Sequence, residues 1–418
     1  MSGIRYITTF TDSTKPLDLV EYCTLGGMSG LQKALKSESK QVIETVKQSG
    51  LKGRGGAGFD TGRKWESLAV NGDRYLVCNA DEGEPGTFKD RYIMERAPFL
   101  ILEGMIIAAY ATGAHTGYIY IRGEYPDVAR TIESAIKLAT EGGYLGENIL
   151  GSGYSFNIEV RIGGGSYVVG DETALLNSLM GNRGYPLLKP PFPTERGLWD
   201  RPTIVNNVET LSYVPLILAR GPEAFAAIGP ADSPGPKMYS VSGHVREPGV
   251  YEYPMGTTVR ELIDAAGGVN GTLKAVQIGG TAGPVYGVAS LDYALDFASM
   301  RKQGGSLGSG AVVVMNSGVH MSQVLEVTMR FYAEESCGQC FPCRYGTRQL
   351  DFMAHQLAAG RGKTDYLDRI RETAHVMFGA SFCPFGQSVT LPINSLLDNF
   401  GDEIVSFVKQ QQFLKEVG

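Results

Sequence analysis

The chain has 418 residues, 43% of them hydrophobic and 20% charged, with a formal net charge of −6. At roughly 100–200 residues per domain, that length predicts about two to four domains, each able to bury a core. The composition excludes a disordered chain, a collagen-like fibre and a coiled-coil rod, and mild acidity without a basic stripe argues against a nucleic-acid partner.

Met1 to Asp12 is mixed and polar, without the apolar centre of a secretory leader. Up to about Gly50 the texture is helical, and Gln41 to Gln48 shows helix-period apolar spacing that stops at Gly50. A glycine-rich loop spans Gly53 to Gly62. Arg74 to Cys78 then reads as a short buried strand and Pro98 to Ala111 as a buried helix. Its apolar run, interrupted by Glu103 and Gly104, is too short to cross a bilayer. Tyr118 to Ile121 reads as a second strand, Val128 to Thr140 as an amphipathic helix and Ser155 to Val160 as an alternating strand. A glycine run at Gly163 to Gly165 precedes a helix over Glu172 to Met180. Strands alternating with helices predict an α/β unit over roughly residues 1–228.

Gly229 to Pro236 reads as a linker, and the texture changes beyond it. Lys237 to Val245 and Val250 to Tyr253 suit a hairpin, and Thr257 to Ala266 a helix capped by Thr257 or Thr258. Lys274 to Ile278 and Ala311 to Met315 suit further strands, which together predict a compact α+β module. From Met321 the pattern is helical again, with helices expected at Gly346–Ala359, Tyr366–Met377 and Ile393–Leu414 in an antiparallel bundle.

Four of the six cysteines fall in this last region. Cys337, Cys340 and Cys343 form Cys-x2-Cys-x2-Cys, and Cys383 lies far downstream, followed by Pro384. Two-residue gaps let successive thiolates face one centre, and a remote fourth followed by proline suits a [4Fe–4S] cluster. Zinc, which usually takes two separated pairs, is the competing reading. Cys23 and Cys78 read as small buried hydrophobes, and the five histidines show no ligand spacing. So few cysteines make no disulfide scaffold, and a reducing cytoplasmic compartment is expected.

Glycine is in excess, at 55 residues, and concentrates in loops suited to holding a ligand close to backbone. Gly53-Arg54-Gly55-Gly56-Ala57-Gly58-Phe59 contains Gly-x-Gly-x-x-Gly, but a helix precedes it where an ordinary dinucleotide fold has a strand. Arg54, Arg63 and Lys64 set positive charge beside its amides, which suits a phosphate, and Phe59 suits stacking on a planar ring. A tight surface loop is the competing reading. Asn79 to Gly86 places Asp81, Glu82 and Glu84 at the carboxyl end of a buried strand, where α/β folds bind ligands; a solvated turn is the alternative. Gly163 to Thr173 leads into a helix without the lysine of a P-loop. Lys189-Pro190-Pro191-Phe192-Pro193 joins a cation to a ring in a stiff segment, or is simply a rigid turn. Asn206-Asn207 suits reading a flavin edge or capping a helix.

These motifs, in this order and spread from about Gly50 to Phe400, resemble the NADH-binding flavoprotein subunits of respiratory complex I. The diaphorase subunits of NAD-linked hydrogenases and formate dehydrogenases are similar. The resemblance implies a multidomain α/β and α+β chain. A non-standard Rossmann-like FMN domain is expected over 1–228, a β-grasp module over 237–320, and a C-terminal antiparallel helical bundle with one [4Fe–4S] cluster over 321–418. It implies that Gly53, Arg54, Gly55 and Lys64 line the FMN phosphate and ring, and that Asn79, Asp81, Glu82 and Gly83 lie along the flavin. Tyr167, Gly170, Asp171, Glu172, Asn206 and Asn207 would complete that site. Phe59, Glu84, Glu172, Lys189 and Phe192 would meet NADH, with Glu84 and Glu172 as the catalytic-site carboxylates, and Cys337, Cys340, Cys343 and Cys383 would ligate the cluster.

The implied activity is NADH dehydrogenase: hydride transfer to FMN, then single electrons to the cluster and onward. The implied partners are a small [2Fe–2S] subunit and further iron–sulfur subunits. The expected location is cytoplasmic, peripheral to the inner face of the cell membrane, with membrane contact only through other subunits. Three positions depart from the family pattern. Asp60 replaces proline or serine and is expected to weaken binding of an anionic dinucleotide. Asp171 replaces a commoner glutamate, and Val169 a common cysteine.

Overall fold

The computed structural model describes residues 4–70, 72–363 and 365–417, so Met1 to Gly3 of the polar opening stretch lie outside it. Its first layer is a parallel sheet. Leu76, Val77, Cys78 and Ala80 are all buried, the near-continuous apolar run of a strand covered on both faces. That strand, β1 (Tyr75–Ala80), pairs with β2 (Thr116–Ile121) on one side and β4 (Thr203–Asn207) on the other, and β3 (Asn157–Ile162) lies outside β2. All three pairings are parallel. The chain therefore steps outward from β1 through β2 to β3 and returns across β1 to β4. Where strand order reverses, the flanking loops leave in opposite directions and open a crevice at the carboxyl ends of the strands.

β4 was not anticipated. Thr203 to Asn207 is short and follows a proline, so it reads as a turn, but its register with β1 sets Asn206 opposite Cys78 and Asn207 opposite Asn79. The following helix, Val208–Arg220, was also missed because Pro215 lies inside it. The buried helix is as expected, at Pro98–Thr112. Its one carboxylate, Glu103, is not a break. It accepts the amides of Met28 (2.8 Å) and Leu31 (2.9 Å) and the hydroxyl of Tyr22, and so ties the N-terminal helices to the core.

The second sheet has five strands in the order β6-β5-β9-β7-β8. β5 (Pro236–Gly243) and β6 (Gly249–Pro254) form the expected hairpin. β7 (Leu273–Ile278) and β9 (Ala311–Asn316) are as predicted, and β8 (Val285–Gly287) adds an edge. The helix Val259–Ala265 is capped by Thr258, whose side chain and that of Glu261 exchange bonds in a capping box. Helices Met321–Glu335, Phe341–Ala358, Tyr366–Ala380, Pro384–Ser388 and Thr390–Val417 follow, around a core that includes Leu325, Met329, Leu350 and Ile393. The second of these begins at Phe341 rather than Gly346. Cys343 therefore sits in its first turn and Cys340 at its N-cap.

Candidate functional site

Two adjoining cavities, of about 430 and 670 Å³, lie beyond the carboxyl ends of β1 and β4. They share Gly55, Gly56, Ala57, Asn79, Gly170, Asp171 and Asn207, and so form one cleft. The larger, outer part is lined also by Gly53, Phe59, Lys64, Glu172, Lys189, Phe192 and Asn206. The inner part is lined also by Asp81, Glu82, Gly83, Glu84, Tyr167 and Cys383. Among the residues anticipated for the cofactors, Arg54 alone lines neither part.

At the outer part, helix ends bring the charges together. Glu172 opens the helix Glu172–Leu179, and Lys64 lies in the last turn of Thr61–Glu66. Glu172 meets Lys64 and Lys189, each at 2.7 Å, and Lys64 also donates to the carbonyl of Val205 at 2.9 Å. Burial works to raise the Glu172 carboxyl, but the two ammonium groups outweigh it and hold the group below its ordinary value. Phe59 and Phe192 are 61% and 50% exposed. Rings left open at a cavity mouth suit a planar ligand ring rather than a core.

In the inner part Lys89 is paired with Asp90 at 2.7 Å, and Glu84 is held by neutral donors. Glu84 accepts the Tyr167 hydroxyl at 2.5 Å and the amide of Ala282 at 2.9 Å. Burial pushes it up to about 7 in spite of these donors. Burial likewise pushes Asp81 up to about 7, against the pull of Arg122. Both Asp81 carboxylate oxygens are buried with no hydrogen-bond partner. Such a group costs free energy unless a ligand meets it, so this cavity fits a polar guest such as the hydroxyl or ring N–H groups of FMN. Glu82, also at the cavity wall, accepts the amides of Asp90 (2.8 Å) and Arg91 (2.9 Å) at the start of a helix, and burial pushes its carboxyl up to about 8.

The asparagines do both things their positions allowed. Asn207 caps Val208–Arg220 through the amides of Glu209 and Thr210, donates to Asp90 at 2.7 Å, and still lines the cleft. Asn206 accepts the Trp65 indole N–H at 2.9 Å, and Asn79 donates to the Gly170 carbonyl at 3.0 Å.

Arg54 departs from its expected place. Its guanidinium is fully buried, donates to the Pro234 carbonyl at 2.7 Å and lies over the Tyr213 ring. The positive charge next to the glycine loop is thus directed into the interior. Asp60 departs as well. It caps the helix Thr61–Glu66 by accepting the Arg63 amide at 2.8 Å, and it lines neither cavity. Asp171 also caps a helix, accepting the amides of Thr173 and Ala174. Val169 is buried in a small apolar cluster behind the cleft.

Sequence reasoning missed the contribution of the second sheet. Its loops bring Gly279, Ala282, Gly283, Ser306, Gly308 and Ser309 to the inner cavity. The only signal was the density of glycine and serine between Gly304 and Gly310.

Cys383 joins the cleft to the bundle. The Cys343 thiol is buried, and its charged form is opposed first by that burial and also by Cys340, Cys383 and Cys337, which push it up to about 12. The chain around Cys383 closes on Cys343 so tightly that a Cβ on Gly386 would come 3.2 Å from the Cys343 Cβ. All four are free thiols. Four free thiols, with Cys343 close enough to feel the other three, form a donor set that fits a [4Fe–4S] cluster.

A cleft at a strand-order reversal, edged by two exposed rings at one end and walled by a cysteine loop at the other, defines a nucleotide-binding iron–sulfur oxidoreductase. Comparison with known proteins gives the particular family. Residues 46–216 match the Nuo51 FMN-binding domain, 323–406 the NADH-ubiquinone oxidoreductase-F iron-sulfur binding region, and 238–289 the SLBB domain. The second F-type subunit of the NADH-quinone oxidoreductase of Rhizobium meliloti (strain 1021) is 46% identical over 93% of both chains. NADP-reducing hydrogenase subunit HndC of Solidesulfovibrio fructosivorans is 41% identical, over 98% of this chain and 84% of that one. An NAD+-reducing [NiFe]-hydrogenase structure in the H2-reduced state superposes with a TM-score of 0.86 at 34% identity, covering 97% of this chain and 67% of the other. The chain belongs to the family of F-type subunits of NADH-quinone oxidoreductase.

Proposed function

We propose that the chain is the electron-input subunit of an NADH:quinone oxidoreductase, which oxidises NADH in the outer cleft and releases electrons singly at the cysteine end. The continuity of the cleft carries this reading: one cavity wall holds Asp81, Glu84 and Tyr167 together with Cys383. FMN, when bound, supplies the conversion of a two-electron hydride donor into single electrons for a [4Fe–4S] cluster.

The side chains bind and orient. Phe59 and Phe192 stack on the adenine side of the dinucleotide, and Lys189 holds its charged groups beside Glu172, while Lys64 faces the FMN phosphate and ring. Asn79, Asp81 and the loops at Gly53–Gly55 and Tyr167–Asp171 hold the flavin. Glu84, which burial pushes up to about 7 and so leaves only partly ionised near neutral pH, orients the nicotinamide. No side chain needs to act as a general base for the hydride step. Cys337, Cys340, Cys343 and Cys383 ligate the cluster, and Tyr167 packs between cleft and bundle, with its ring 5.0 Å from Phe331 and 5.6 Å from Phe385. We assign residues 1–228 to the flavin domain, 237–320 to the β-grasp module and 321–418 to the cluster domain.

The chain works within a multi-subunit complex, and its proposed neighbours are a small [2Fe–2S] subunit and further iron–sulfur subunits. No helix among the described residues is long and apolar enough to cross a membrane, which supports attachment at the inner face through other subunits. A second reading, the diaphorase subunit of an NAD-linked hydrogenase, is favoured by the likeness to the NAD+-reducing [NiFe]-hydrogenase. Co-purifying subunits decide between the two. An anaerobic NADH titration followed by visible absorbance tests the activity common to both. Bleaching of the flavin bands by NADH, with NADPH much weaker, is expected; bound flavin that NADH leaves oxidised would refute the reading.

A further inference from the structure

Beneath the glycine loop lies a buried ionic network with no assigned part in binding. Glu209, fully buried, meets Lys89 at 2.9 Å and Lys237 at 3.1 Å. Lys89 meets Asp90 at 2.7 Å, and Asp90 accepts the Asn207 amide. Lys237 is the outsider here. It comes from β5, across the linker from the flavin domain, and Gly310 makes room for it: a Cβ there would lie 2.2 Å from the lysine Cε. Burying an ammonium group fully is expensive, and hydrophobic residues of similar volume usually serve a core as well or better.

The geometry of its contacts suggests what the ammonium does. Lys237 Nζ donates to the Arg54 carbonyl at 3.3 Å, and the Arg54 amide donates to Thr210 Oγ1 at 2.8 Å. The Arg54 guanidinium is fastened in turn to the Pro234 carbonyl of the linker. A trans peptide is planar, with C=O and N–H on opposite sides. Drawing the Arg54 carbonyl inward onto Lys237 therefore turns the Gly55 N–H outward, on the side where Gly55 lines both cavities.

We propose that Lys237 is a positioning residue for the flavin site: the β-grasp module reaches under the glycine loop with this ammonium and sets the Arg54–Gly55 peptide so that the Gly55 amide faces bound FMN. The inference rests on the flavin reading above and adds a role for the second module.

The test uses the protein with its co-purifying subunits, stripped of FMN and titrated with FMN by fluorescence quenching. In Lys237→Met the dissociation constant rises about tenfold or more, the effect of losing a charge-assisted contact. That variant also takes from Glu209 the second of its two cations, leaving Lys89 shared with Asp90, so the decisive protein is the double variant Lys237→Met with Glu209→Gln. A lysine that only neutralised Glu209 would be dispensable there. The double variant is expected to keep the weak FMN binding while cluster absorbance stays at the parent level. Lys237→Gln, which retains a donor for the Arg54 carbonyl, is expected to bind FMN within about threefold of the parent, and it answers the question if the methionine variants do not fold. Parent-like FMN binding by the double variant, or loss of binding in Lys237→Gln equal to that in Lys237→Met, would overturn the role of Lys237. A parent protein that takes up no FMN would overturn the flavin reading itself.

Discussion

The two glutamates of the cleft sit at opposite ends of it, and burial, answered by different partners, leaves them shifted in opposite directions. Glu172 and Glu84 are both largely buried, and burial alone raises both. At the outer end two lysines at 2.7 Å reverse the effect, and Glu172 is held ionised. At the inner end the donors are a tyrosine hydroxyl and backbone amides, too weak to offset burial, and Glu84 is pushed up to about 7. Ion pairs therefore fix the charge at the proposed dinucleotide entrance, and neutral donors leave it adjustable at the proposed electron exit toward the cysteines.

Breaking the inner end gives the largest expected effect. Cys383→Ala removes a proposed cluster ligand, so cluster absorbance and electron transfer to partner subunits fall to background, while NADH still bleaches the flavin. Loss of flavin reduction as well would mean that the two ends are not separable. At the outer end, Phe192→Ala removes a stacking face worth about 1–3 kcal/mol, and the KM for NADH rises about tenfold or more with kcat nearly unchanged. A fall in kcat with KM unmoved would place Phe192 elsewhere in the reaction.

The contrast in charge is sharpened by pH. Glu84 keeps its proton in the folded state at pH values where the unfolded chain has lost it. The folded state therefore loses stability as pH rises from the ordinary carboxylate range, about 4.5, through about 7. At about 1.4 kcal/mol per pH unit this amounts to no more than about 3.5 kcal/mol. Thermal unfolding of the FMN-free protein is expected to show the decline, and Glu84→Gln, whose amide suits both Tyr167 and Ala282, to flatten it and raise Tm at pH 8. An unchanged profile in that variant would remove Glu84 from the account. The smallest effect is at Asp60. Asp60→Ala costs about 1 kcal/mol of stability through the lost helix cap, and Asp60→Ser almost nothing. Neither is expected to change the KM for NADH, and a tighter KM in either would restore the repulsive role that the sequence suggested.

Local chemistry was legible in the sequence, and long-range direction was not. Cysteine spacing, the glycine loops and the carboxyl end of β1 announce themselves in a few adjacent residues, and every proposed cofactor residue but Arg54 lines the cleft. Arg54 was misplaced because its burial is set by Tyr213 and Pro234, far off in the chain. Asp60 and Asp171 looked like departures at a ligand site because sequence shows a charge, not the helix amides it caps. The Asn206-Asn207 pair hid a strand, since five residues after a proline carry little periodicity. The loops of the second sheet reach the cavity only through tertiary docking.

We propose that electrons enter beside Phe59 and Phe192 and leave by the Cys383 wall of the same cleft. The most direct test is to mix the protein anaerobically with a pulse of NADH, freeze it at intervals and read the cluster by electron paramagnetic resonance alongside flavin absorbance. The account predicts that the flavin is reduced first and that a reduced-cluster signal then grows at its expense. A cluster that stays oxidised while NADH reduces the flavin would contradict it.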